Sequence, residues 1–259
     1  MKVVDLCCGA GGATEGLAAA GIDVTLAVDN WPLAVKSHEA NHPDAEHVVG
    51  DVRDLVGSIG QVDIVIGSPP CPEFSHLGGK AVDPDTSIIQ ACTEIVQEAR
   101  PKWFWLENVP MAGPYFEQHG HMVQYVRASD HGLYHERRRA FAGLRLPVAP
   151  TKPCPVVFQT ILASEVKAGA RPHHRKTGDG NRLRDFLARI PDVRDYLWAM
   201  GVRQDYHLEG NKSDQVRQVG NMICPPVATA VAKAQERPVM ATLMPVSYTH
   251  LTLPTIYSV

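Results

Sequence analysis

Val62-Asp63-Ile64-Val65-Ile66-Gly67-Ser68-Pro69-Pro70-Cys71-Pro72-Glu73-Phe74-Ser75 decides how this chain folds. Its first five residues are a short apolar run of β-branched side chains, the pattern of a buried strand. Pro69 and Pro70 end the ladder and stiffen the turn, because proline fixes φ and donates no N–H. Cys71 is thereby put on a rigid loop just past the carboxyl end of a strand, where open α/β sheets carry their chemistry. A cysteine kept for packing belongs inside an apolar run rather than between prolines. The placement favours a nucleophile.

Upstream, Val3-Val4-Asp5-Leu6 reads as a first strand running into Cys7-Cys8-Gly9-Ala10-Gly11-Gly12, then a helix from Thr14 to Ala20 that Gly21 closes. A glycine-rich turn between strand and helix lets a ligand approach the backbone. It suits a dinucleotide, a phosphate or a nucleoside-bearing cofactor equally. Thr25 to Val28 is a second strand ending at Asp29, a position from which a carboxylate reaches ribose hydroxyls. A helix from Pro32 to Asn41 follows, and Val48-Val49 leads to Gly50-Asp51-Val52, a third strand ending in a carboxylate. Downstream, Ser87 to Ala99 has helical spacing of apolar residues, and Trp103 to Leu106 is a strand ending in Glu107-Asn108-Val109-Pro110. Strand and helix alternate throughout, so the expected fold class is α/β, a doubly wound parallel sheet.

The 259 residues suffice for one large domain with a small appendage. No apolar run approaches the ~20 residues of a membrane span, and the N-terminus enters a strand directly, so a cytoplasmic chain without a membrane partner is expected. The six cysteines are scattered with no C-x-x-C or paired histidine spacing, which argues for reduced thiols and against a metal site. A net charge of −3 conceals segregation: His135 to Arg145 holds four arginines against one glutamate. Arg171 to Arg184 holds five lysines and arginines against one aspartate. Clustered positive charge suits a polyanion, with a solvated surface as the bland alternative.

Together these stretches resemble the DNA (cytosine-5)-methyltransferase family that uses S-adenosylmethionine. Asp5 to Gly12 is similar to its first motif, Pro69-Pro70-Cys71 with Phe74-Ser75 to its catalytic loop, and Glu107-Asn108-Val109 to its glutamate motif. Arg137-Arg138-Arg139-Ala140-Phe141 resembles its arginine motif, and Gln218-Val219-Gly220-Asn221 with Pro225-Pro226-Val227-Ala228 its closing motif. The resemblance implies a Rossmann-like methyltransferase sheet, a monomeric enzyme and a double-stranded DNA partner. It implies Cys71 as the thiolate that adds at cytosine C6, and Glu107 on the N3 and N4 edge. Arg137 and Arg139 would hold the O2 side and a nearby phosphate, and the base would be flipped out of the stack. The cofactor would lie against Asp5, Cys7, the Gly9-Ala10-Gly11-Gly12 turn, Asp29 and Asn30, Asp51 and Val52, Ser68 and Pro69, and Asn221 and Met222. The helix from Val227 to Ala234 would pack beside the first strand.

Cys7 stands where the family usually has phenylalanine, Pro72 where it has glutamine, and His135 where it has glutamine before the arginines. On this reading residues 1–146, completed by 205–237, form the catalytic domain, and 147–204 a small target-recognition region. DNA contacts are expected from Ser75, Arg171, Arg175, Lys176, Arg182 and Arg184. Residues 238–259 form a tail, of which Val246 to Val259 looks like a translated sequencing adapter and is set aside. Three rivals stay open: a tRNA cytosine-5 methyltransferase, a catalytically inert nucleic-acid binder, and a Rossmann oxidoreductase that would leave Cys71, Glu107 and the arginines unexplained.

The basic window yields a prediction. If it touches phosphates, replacing Arg175 and Lys176 by alanine flattens the log–log salt dependence of DNA binding by ~0.9 per lost contact. An unchanged slope in a salt titration would return the window to ordinary surface.

Overall fold

The computed structural model describes residues 1–70, 85–154 and 191–237. Cys71, Ser75, Arg171, Arg175, Lys176, Arg182, Arg184 and the tail lie outside the described residues. Five short strands run parallel: β1 (Val3–Leu6), β2 (Leu26–Asp29), β3 (Glu46–Val49), β4 (Ile64–Gly67) and β5 (Trp103–Asn108). Two more, β6 (Val123–Arg127) and β7 (Arg138–Ala142), complete a seven-stranded sheet in the order β3-β2-β1-β4-β5-β7-β6. β7 is antiparallel to both its neighbours. The chain steps outward from β1 to β3 and then crosses back to β4, so the strand order reverses between β1 and β4. The loops leaving these two strands meet there, with Ser68 N–H donating to the Leu6 carbonyl at 3.0 Å. That is the crevice at which a doubly wound sheet binds ligands.

Side chains alternate across the sheet with period two. Val3, Ile64, Ile66, Trp103, Trp105 and Phe141 face one core, while Val4, Leu6, Val65 and Leu106 face the other. The second face is covered by α3 (Ser87–Ala99), whose Ile89, Cys92, Ile95, Val96 and Ala99 fall on one side at helical spacing. The first face is covered by α1 (Gly12–Ala18) and by the last described helix. Between them, α2 (Pro32–Asn41) opens with proline in its first turn, and α4 (Gly113–Gln118) leads into β6. α1 begins two residues before the expected Thr14, because Gly11 at φ 94° supplies the sharp entry.

Three helices follow the arginine strand in the described chain. α5 (Val193–Ala199) and α6 (Lys212–Asn221) each start with a reciprocal capping box, Asp192 with Asp195 and Asn211 with Asp214. α7 (Pro225–Gln235) starts with two prolines in its first turn. The sequence places residues 193–204 in the recognition region, yet Tyr196, Leu197, Ala199, Met200 and Val202 are buried in the same core as Val3 and Leu17.

The closing helix packs on α1, in the core that also holds Val3 of β1, because Gly16 leaves room for it. A Cβ built at Gly16 would collide with the Ala228 methyl and stand 2.6 Å from the Pro225 carbonyl oxygen. Thr229 Oγ1 donates to the Gly16 carbonyl at 2.9 Å across this contact. Gly16→Ala is therefore expected to cost roughly 1–3 kcal/mol through overpacking against backbone that cannot yield. Gly50→Ala, which would meet nothing closer than Val48 at 3.6 Å, should lie within about 0.5 kcal/mol of the parent. Urea midpoints compare the two; equal stabilities would show that α7 can slide.

Candidate active site

The turn after β1 is shaped for something to lie against it. Gly9 and Gly11 sit at φ 55° and 94°, and a Cβ built at Gly9 would meet nothing within 4 Å, so the turn faces open space. Gly12 differs: a Cβ there would strike the Ile223 carbonyl and stand 2.9 Å from Met222 Cβ. The segment between α6 and α7 is thus pressed onto the glycine turn, with Met222 buried and Asn221 exposed. Cys7, half-buried at φ 55°, leans toward Cys92, and that contact, with burial behind it, pushes its thiol up.

The acidic residues have distinct surroundings. Asp29 accepts from Gly9 N–H and Trp31 N–H, both at 2.8 Å, which locks the turn to β2. Burial raises its carboxyl against the pull of those N–H groups. Neighbouring Asn30 is exposed. Asp51 is held by Arg53 through both carboxylate oxygens, at 2.9 and 2.6 Å, which lowers its pKa; Val52 beside it is buried. Asp5 is fully buried, accepts from Thr14 Oγ1 at 2.7 Å, and has no partner for Oδ1 among the described residues. An open glycine turn, an orphaned buried carboxylate oxygen and two further carboxylates fit a ligand with an ammonium group and a ribose. S-adenosylmethionine has both.

A second cluster lies at the ends of β5 and β7. Glu107 stands opposite Phe141 in the strand register, and Arg139 lies diagonally on the same face. The Arg139 Nε sits 2.9 Å from Glu107 Oε1. Burial pushes the Glu107 carboxyl up, while the charges of Arg139 and Arg137 pull it down. Next to it, Asn108 Nδ2 donates to the Pro69 carbonyl at 2.9 Å, and Asn108 Oδ1 accepts from Val109 N–H. Pro70 follows, and Cys71 is the next residue. A single dipeptide therefore carries the buried acid and grips the loop that leads to the thiol.

Arg139 lies on β7 and Arg137 immediately precedes that strand, two residues away along the chain. Arg137 is buried, and its Nη2 donates to the Gly220 and Met222 carbonyls at 2.9 and 3.1 Å. It joins the arginine strand to the closing segment, whereas Arg139 meets Glu107. Between them Arg138 points the other way, over the Tyr125 ring at 4.4 Å. Cys224 is buried, and burial pushes its thiol to about 11, which leaves it a poor nucleophile beside the arginines. No group of three or more potential metal ligands occurs among the described residues.

His135 is buried, takes Arg137 N–H on Nδ1 at 3.3 Å and gives Nε2–H to the Ala199 carbonyl at 3.1 Å. It bridges the arginine strand and α5 as a neutral ring. Sequence reading also missed Thr14, His38, His47 and Tyr206 around the glycine turn. His38 on α2 and His42 just past its end stand at spacing i, i+4, which is a signal of shared facing but not of what they face.

The model of the C-5 cytosine-specific DNA methylase family matches residues 1–145. The chain belongs to that family. It is 33% identical over 178 residues to the Type II methyltransferase M.XorII of Xanthomonas oryzae, covering 57% of this chain and 42% of that protein. The chain thus spans well under half the length of that relative. Against the Type II methyltransferase M.NgoMIV of Neisseria gonorrhoeae it is 26% identical, over 89% of this chain and 95% of the relative. Among solved structures, a DNA modification methyltransferase encoded within an E. coli prophage superposes with TM-score 0.67 at 19% identity, covering 90% and 98% of the two chains. Spodoptera frugiperda DNMT2 gives 0.64 at 15% identity, covering 91% and 99%. These two share the fold, a Rossmann-like methyltransferase sheet.

A pH prediction follows from His135. Burial and the Arg137 charge hold its pKa down at about 3, below the ordinary 6.5. A depressed histidine stabilises the fold fully above its unfolded pKa and loses that stability as pH falls toward the folded one. His135→Gln keeps an acceptor for Arg137 N–H and a donor for Ala199 but cannot be protonated. Relative to the parent, the variant should gain about 2 kcal/mol between pH 7 and pH 5. A stability difference that is flat with pH, in paired denaturant titrations, would show that the ring is already charged in the fold.

Proposed function

We propose that this protein is a DNA (cytosine-5)-methyltransferase acting on a flipped cytosine in double-stranded DNA through a covalent Cys71 adduct. The observation that carries the reading is the Glu107–Asn108 pair. It sets a buried carboxyl beside Arg139 and ties the strand end to the loop entering Cys71. Family membership supports the substrate class. S-adenosylmethionine, held by the glycine turn with Asp5, Asp29, Asn30, Asp51, Val52, Ser68, Pro69, Asn221 and Met222, supplies the methyl group.

The residues would divide the work as follows. The Cys71 thiolate adds to C6 and pushes electrons toward C5, which is otherwise a poor nucleophile. Glu107, whose pKa burial raises, gives a proton to N3 as negative charge builds there, and accepts from the N4 amino group. Arg139 fixes the carboxyl and brings positive charge to the O2 side. Arg137 keeps the arginine strand against the closing segment. Once C5 is methylated, its proton leaves to a base and the C6–S bond breaks, returning Cys71 as thiolate.

Duplex DNA carrying 5-fluorocytosine tests the reading, since fluorine at C5 leaves no proton to lose. With S-adenosylmethionine present, a denaturant-resistant adduct should form. Cys71→Ser should abolish it, because the hydroxyl is far less ionised than the thiol. Glu107→Gln should slow trapping by roughly a hundredfold or more, the usual weight of a positioned acid, while leaving cofactor affinity unchanged. Cys92 and Cys224 substitutions should leave trapping intact. An adduct through another cysteine overturns the assignment of Cys71. Trapping of fluorinated tRNA but not DNA moves the substrate to RNA, and no trapping despite DNA and cofactor binding makes the chain an inert binder.

A further inference from the structure

The glycine turn is backed by a chain of hydrogen bonds that the proposed reaction does not use. Thr14 Oγ1 donates to Asp5 Oδ2 at 2.7 Å and lies 3.0 Å from His38 Nε2. His38 Nδ1 is in turn 2.8 Å from His47 Nε2. Asp5, Thr14 and His38 are all buried, whereas His47 is half-buried on the edge strand β3. The row leads from the orphaned carboxylate to the sheet edge without a break.

Each member fits a relay. His38 is held neutral, its pKa lowered to about 3 by burial and by His42 and His47. A neutral imidazole and a hydroxyl can each pass a proton from one side to the other without keeping it. Asp5 is raised to about 7, chiefly by burial and further by Asp29, with the Thr14 bond opposing. The other ionisable groups at this corner are Cys8 in the turn, Glu15 of α1, His42 at the end of α2, and Arg203 and Tyr206 ahead of α6. Glu15 is paired with Arg203 at 3.3 Å and stands 3.6 Å from His42. Tyr206 O–H donates to the Ala10 carbonyl at 2.5 Å. Burial pushes the Cys8 and Tyr206 pKa values up, so both stay neutral.

We propose that binding of the cofactor's ammonium group at Asp5 Oδ1 expels a proton from Asp5, and that Thr14, His38 and His47 conduct it to the surface. The inference rests on the S-adenosylmethionine reading of the glycine turn. With Asp5 protonated, the row runs from the Asp5 O–H to Thr14, from the Thr14 O–H to His38 Nε2, and from His38 Nδ1–H to His47 Nε2. The Asp5 proton moves to the Thr14 oxygen as the Thr14 proton moves to His38 Nε2. The His38 Nδ1 proton moves to His47 Nε2 as His47 gives its Nδ1 proton to water. All donors then point toward Asp5, and only Asp5 has changed charge, matched by the ammonium it faces.

S-adenosylhomocysteine is the probe, because its ammonium is fully charged below neutral pH. Calorimetry measures its binding, and stopped-flow with a pH indicator in weak buffer measures the proton. At pH 6.5 about three-quarters of a proton should appear per bound ligand, as expected for a group titrating near 7, and at the rate of binding. Asp5→Asn should remove the release. Thr14→Val and His47→Gln, which break the row at its first and last links, should keep the release but delay it at least tenfold behind binding. Release that keeps pace in both variants overturns the relay. Binding without any release in the parent overturns the coupling to Asp5. No binding of S-adenosylhomocysteine overturns the cofactor reading itself.

Discussion

Gly16 has no side chain, and the backbone of α7 comes to rest in the space that leaves. The close approach lays the last described helix along the first one. The segment before α7 is then pressed onto Gly12, with Met222 and Ile223 against its Cα. From that segment the Gly220 and Met222 carbonyls receive the buried Arg137 guanidinium. Arg137 in turn sets the start of β7, and β7 carries Arg139 to Glu107. A contact about the size of a methyl group thus bears on the geometry of both clusters. Hydrogen bonds made by a charged group commonly contribute about 1.5–3 kcal/mol each.

The two clusters lie on one face of the sheet, and in both of them burial raises a carboxyl pKa against different opposing groups. At Glu107 burial raises the carboxyl beside two arginines whose charge lowers it, so small changes around the site move its protonation. At Asp5 burial meets a single weak donor and a neighbouring Asp29, and the balance falls near neutrality. Asp51, half-buried and gripped by Arg53, behaves in the opposite way and remains charged. Three carboxylates that look alike in the sequence are therefore three different chemical groups in the fold. Their environments are set by neighbours as distant in sequence as Asp29 from Asp5 and Arg139 from Glu107.

Departures from the family pattern have local physical accounts. His135, where the family pattern has glutamine, meets two backbone groups by using one ring nitrogen as acceptor and the other as donor. Cys7, standing in for an aromatic ring, turns toward Cys92 beneath α3.

The order of strands and helices, the loops at strand ends and the acids at Asp5, Asp29, Asp51 and Glu107 were legible from the sequence. Each rests on local rules: β-branched runs, proline and glycine at turns, and helical spacing. The separate fates of Arg137 and Arg139 were not legible, since two arginines two residues apart are equivalent until one finds a carboxylate and the other a pair of carbonyls. Nor was the seat of α7, which depends on one glycine meeting one alanine more than two hundred residues away. The histidine row joins Asp5, Thr14, His38 and His47 across two strands and two helices. Such a row exists only when the sheet has formed, because hydrogen bonds depend on distances that chain order does not contain.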